Sequence, residues 1–189
     1  MNLPDLSLIN ARPWLELGFE CVLAILLGLL LHKLLYRIAL RLSSGFVMPR
    51  SLVTQGRRPM QLLLPLLLIQ IVIGSAVDSF SLIKPLHHIL SIALLAILTF
   101  LCIRLVKGVA EGVIGLYPAD VADNLRARSI HTQSRVLSRI VMFVVGLVGL
   151  ASILMTFPGV RQIGASLLAS AGMAGLVAGI AARPVLGNL

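Results

Sequence analysis

Three observations predict an all-α integral membrane protein with about five transmembrane helices, the last of them rich in Gly and Ala. Hydrophobic residues make up 58% of the 189 and charged residues only 12%, against about 25% charged in an ordinary soluble domain, and the mean hydropathy is +1.02. The apolar residues gather into runs near the roughly 20 residues that a helix needs to cross a bilayer. The basic residues, which give a formal net charge of +9, lie mainly between those runs. That placement reads as membrane topology and argues against nucleic-acid binding.

The first span is placed at 15–36. Trp14 and Tyr36 bracket it, about 33 Å apart along a helix, which suits an aromatic at each interface. It follows Asp5 and Arg12 rather than a basic cluster, so it is expected to stay as a helix and not to be cleaved as a signal peptide. The second span, 60–80, contains Pro65, read as a kink whose freed carbonyl a neighbour satisfies. The third, 86–106, follows a short connection from Asp78 to Pro85, so spans two and three are expected to form an antiparallel pair. Residues 1–110 thus make an N-terminal membrane region. A cytoplasmic connector follows at 111–136, and 137–189 carries the fourth and fifth spans, 137–157 and 161–182.

Positive residues accumulate on the cytoplasmic side of membrane proteins. Lys33, Arg37, Arg41, Arg50, Arg57 and Arg58 flank the first connection, and Arg104, Lys107, Arg126, Arg128, Arg135 and Arg139 the third. Arg12, Lys84 and Arg161 are the basic residues of the opposite side. The N-terminus is therefore expected outside and the C-terminus in the cytoplasm. Within the connector, Leu125, Ile130, Val136 and Leu137 would be the apolar positions of a surface helix. Arg126, Arg128, Arg135 and Arg139 would meet anionic lipid head groups, and the alternative is a plain positive-inside connector.

Enzymatic and cofactor chemistry is not expected. No Walker loop, dinucleotide-binding glycine fingerprint or hydrolase elbow is present. Spans two to five hold almost no ionisable residues, with Asp78, Arg104 and Arg139 near the span ends, whereas ion-coupled transporters carry such groups inside the membrane. Glu16 and Glu20, one turn apart, read as a solvated interfacial pair. His32, His87 and His88 have no obvious partners for a metal. Cys21 and Cys102 are far apart in sequence and form no metal or disulfide pattern.

The last span carries the most functional information. Unrolled at about 100° per residue with Gly172 at zero, Gly175 and Gly179 fall at about 300° and 340°, a smooth groove; Leu176 and Ile180 fall at about 40° and 80°, Met173 and Val177 at about 100° and 140°. Such a helix can pack a groove on a neighbour's knobs, and heterologous contacts of that kind close into a ring when the rotation permits. Leu176 and Ile180 would then form two apolar rings about the axis, able to block ions by dewetting. A small-residue dimer or a tightly packed bundle helix accounts for the same geometry.

The run ASAGMAGLVAGIAARPVLGNL, Ala169 to Leu189, resembles the pore-lining helix of the small-conductance mechanosensitive channel (MscS) family. It shares the Gly/Ala pattern, the glycines at 172, 175 and 179 and the ending Leu186 to Leu189. NLRARSIHTQSRVLSRI resembles the segment before it, and the likeness covers about residues 120–189. The resemblance implies a homo-oligomer, a heptamer, in a bacterial inner membrane. It also implies a gate at Leu176 and Ile180, a packing groove at Gly172, Gly175 and Gly179, and permeating ions and small solutes. Met173 and Val177 stand where familiar members have alanine knobs, and Arg183-Pro184 where they have a glutamine-glycine hinge. A proline disfavours helix at the residue before it, so a break near Arg183 is expected at the inner mouth. Family members continue into an amphipathic segment and a large cytoplasmic domain, while this sequence ends at Leu189. The expectation is a truncated product, or assembly through membrane contacts alone.

The function expected is a mechanosensitive channel subunit for osmotic protection. The alternatives are a non-conducting membrane interaction protein or channel remnant and, more weakly, a small-solute transporter.

Overall fold

The computed structural model describes residues 11–75, 83–117 and 125–186. It is all helical among those residues: α1 (Ala11–Leu42), α2 (Val47–Ser75), α3 (Ile83–Leu116), α4 (Leu125–Met155) and α5 (Arg161–Leu186). All five are long and apolar enough to cross a membrane. The side chains of Arg12, Trp14, Leu125, Arg126 and Pro184, and residues 5, 78 and 187–189, lie outside the described set.

The helices outrun the apolar segments that reveal them. α3 has 34 residues, about 51 Å of helix against a hydrocarbon core of about 30 Å. The long first connection expected between spans one and two shrinks to residues 43–46. Lys33, Arg37 and Arg41 ride on α1, and Arg50, Arg57 and Arg58 on α2. Much of the 111–136 connector is helix as well, belonging to α3 up to Leu116 and to α4 from Leu125. Hydropathy marks where a helix prefers lipid, but Lys, Arg, Gln and Glu are good helix formers and carry the backbone ladder onward.

Ser43 closes the α1–α2 corner. It is buried, its Oγ donates to the Ala39 carbonyl at 2.7 Å, and its own carbonyl accepts from the Phe46 amide at 3.2 Å. α2 continues through Pro59 and Pro65. Each proline removes one intrahelical bond, and both are buried against neighbours. Gly28 of α1 makes room for the second, since a Cβ there would lie 2.5 Å from Pro65 Cα.

Each helix touches only its neighbours in sequence among the described residues: α1 with α2, α2 with α3, α3 with α4, and α4 with α5. The molecule is an open row of antiparallel helices, not a closed bundle. Its accessible surface is 13751 Å², well above the about 8,800 Å² expected of a compact soluble protein of this mass. Large apolar side chains such as Phe19, Leu30, Ile71 and Phe143 cover that excess. A surface of this kind needs lipid or protein against it.

The tightest seam joins α2 to α3. Gly108 and Gly112 sit one turn apart on α3, and added Cβ atoms would come within 3.1 Å of Leu52 Cα and Met48 Cα respectively. Close approach lets Ser51 Oγ donate across the seam to the Gly108 carbonyl at 2.7 Å. Further along, Gln70 Nε2 donates to Ser91 Oγ at 2.7 Å and lies 3.0 Å from His87 Nε2. Gln70 Oε1 is buried with no partner among the described residues.

Candidate functional site

α5 is anchored at its start, and its far half meets no neighbour among the described residues. The turn from α4 is held by Thr156 Oγ1 donating to the Ile153 carbonyl at 2.7 Å and Arg161 Nε donating to the Met155 carbonyl at 3.2 Å. Phe157 meets His88 of α3 edge to face at 5.2 Å. Gly164 presses against α4, where a Cβ would stand 2.7 Å from the Ala151 carbonyl oxygen. Ala151 itself is completely buried.

Eight residues further on, the packing ends. Added Cβ atoms at Gly172, Gly175 or Gly179 would meet nothing within 4 Å among the described residues. Leu176 and Ile180 are 69% and 72% exposed, and Met173 and Val177 are comparably bare. The helix holds Leu176 and Ile180 on one side, one turn apart, with the three glycines on the flank beside them. α5 runs to Leu186, past Arg183 and Pro184, so the break expected near Arg183 is replaced by continuous helix. Proline's fixed φ of about −65° is helical, and what it removes is one bond, to the Ile180 carbonyl.

Because successive helices are antiparallel, the end of α1, the start of α2, the end of α3, the start of α4 and the end of α5 share one end of the row. That end is basic, and several of its charges are already engaged. Arg57 lies over the Tyr36 ring at 5.0 Å, and His32 stacks on the same ring at 5.9 Å. Arg104 covers Phe100 at 5.0 Å and donates to Gln55 Oε1 at 3.1 Å. Gln55 Nε2 in turn donates to Glu111 Oε2 at 2.7 Å, and Glu111 Oε1 is 3.7 Å from Lys107 Nζ. His131 Nε2 donates to the Tyr117 carbonyl at 2.7 Å, tying α4 to the end of α3. Arg128, Arg135 and Arg139 recur on one face of α4 and are exposed.

The other sequence candidates stay apart. Glu16 and Glu20 are both exposed on α1. His87 turns toward Gln70, His88 toward Phe157. Among the described residues no three His, Cys, Asp or Glu side chains gather as metal ligands would. Cys21 and Cys102 are free. The Gly108–Gly112 seam was missed in the sequence, although its signal is plain: Gly-Val-Ala-Glu-Gly is a small-xxx-small pair at the end of an apolar run.

Fold and composition together define, among the described residues, five long apolar helices compatible with a multi-pass membrane protein. Comparison with family models, curated proteins and solved structures found no match.

Proposed function

We propose that this chain is a subunit of a tension-gated channel, in which several copies pack through α5 and Leu176 and Ile180 ring the axis. The observation that carries the reading is the unpartnered half of α5: a glycine groove open to space beside exposed Leu176, Val177 and Ile180. In lipid, helices associate through close packing of small residues rather than a hydrophobic push. An open glycine groove is therefore a site for another helix. A ring of apolar side chains holds a pore closed by dewetting, and lateral tension favours the state of larger membrane area, so tilting the α5 helices apart would wet it.

The basic end would face the cytoplasm by the positive-inside rule, with the start of α1 outside, α5 ending inside and Arg183 near the inner mouth. A bacterial inner membrane, seven copies and relief of osmotic stress follow from the resemblance of residues 120–189 to the mechanosensitive family. Purified protein in liposomes, recorded under suction, tests the reading. Pressure-activated conductance supports it, and silence at tensions approaching membrane rupture would sink it.

A second reading is favoured by the same open glycine face, which suits a different helical partner equally well: a non-conducting interaction protein. Crosslinking in lipid separates the two, since self-assembly through α5 is required only by the first.

A further inference from the structure

We infer that the crevice between α3 and α4 at the basic end is a seat for one anionic phospholipid. It is a cavity of about 470 Å³ whose walls include Lys107 and Glu111 of α3 and Arg135, Arg139 and Met142 of α4. The charges in it do not balance. Glu111, the crevice's one carboxylate, is shared between Gln55 on one oxygen and Lys107 on the other. Arg135 and Arg139 stand one turn apart on α4 with no carboxylate partner among the described residues, a like-charge pair that repels unless an anion sits between. Guanidinium forks bind phosphate oxygens in pairs.

The surface beside the crevice selects a lipid over a free anion. One turn further along α4 from Arg139, on nearly the same face, lies Phe143, 71% exposed. Met142 borders the cavity at the same level. Cationic forks above a bare apolar strip match a phosphate carrying an acyl chain, at the depth where α4 passes from its basic turns into its apolar run. The inference stands apart from the channel reading, because its readout is lipid retention and not current.

Native mass spectrometry of the full chain in neutral detergent, titrated with phosphatidylglycerol or phosphatidylcholine, tests it. Phosphatidylglycerol should be retained in preference. The double variant Arg135→Gln/Arg139→Gln should weaken that retention about thirtyfold, at roughly a tenfold-per-1.4-kcal/mol conversion of about 1 kcal/mol per basic residue. Lys107→Gln should weaken it about fivefold by the same arithmetic, and serves if the double variant does not fold. Arg50→Gln removes a charge from the same end but outside the crevice, and should change retention less than twofold. Equal retention of the two lipids, or unchanged retention in Lys107→Gln, overturns the seat. So does an Arg50→Gln effect as large as that of the crevice variants, which would mean general surface charge. Displacement of the lipid by equimolar inorganic phosphate would make this a free-anion site and overturn the lipid assignment.

Discussion

The α2–α3 seam and the far half of α5 are both built on glycines at helical spacing, yet among the described residues one is filled and the other empty. At Gly108 and Gly112 a neighbouring backbone stands where a side chain would go, and a serine hydroxyl crosses to the Gly108 carbonyl. At Gly172, Gly175 and Gly179 nothing stands there among the described residues. A small-residue stripe therefore does not by itself say whether, or by what, it is met. In the seam the partner is the same chain; along the far half of α5 no partner stands among the described residues.

The comparison can be broken most forcefully at the seam. Gly112→Leu should separate α2 from α3, costing about 3 kcal/mol by overpacking, read as a fall in thermal midpoint or loss of folded protein in detergent. Gly175→Leu should leave that midpoint unchanged and instead abolish crosslinked assemblies in lipid. If both substitutions act alike on the isolated chain, the two stripes are not different in kind.

A smaller effect sharpens the role of the open face. If copies pack through α5 as proposed, Leu176→Ser or Ile180→Ser should raise open probability at fixed tension about tenfold, equivalent to roughly 1.4 kcal/mol, in patch recordings. Unchanged gating in both would remove these residues from the constriction.

The polar bonds inside the filled seam should matter less. Gln55→Leu breaks the link between Arg104 and Glu111, and transmembrane side-chain hydrogen bonds are worth about 0.6 kcal/mol on average, up to about 1.7. A loss near 1 kcal/mol in unfolding by denaturant is expected. Gln70→Met should cost less than about 0.5 kcal/mol, because Gln70 Oε1 is buried without a partner among the described residues, and removing that orphan offsets the lost bond to Ser91. A larger loss for Gln70 than for Gln55 would reverse this ranking.

Much of the fold was legible because long apolar helical segments are written in composition. The apolar segments at 15–36, 86–106 and 161–182 fall within α1, α3 and α5. The ends were not legible. Segment 60–80 misses the first turns of α2 from Val47, and segment 137–157 misses the start of α4 at Leu125 and runs into the turn at Thr156. Backbone hydrogen bonding continues wherever side chains permit helix, and Arg50, Arg57 and Arg135 permit it. For the candidate site, the grouping of Leu176 with Ile180 and of the three glycines follows from 3.6 residues per turn alone. Arg183-Pro184 misled, because a local preference at one residue did not outweigh a helix already propagating through it.

By itself the sequence determined the five apolar helices found among the described residues, with a basic end and a last segment of small residues, since these depend on residue type and period. Only the tertiary structure decided which glycines are occupied. It also decided which charges are spent, with Arg104 and Lys107 engaged around Gln55 and Glu111 while Arg135 and Arg139 have no carboxylate partner among the described residues. Those outcomes depend on which helix faces lie side by side, and one-dimensional periodicity says which residues share a face but not what that face meets.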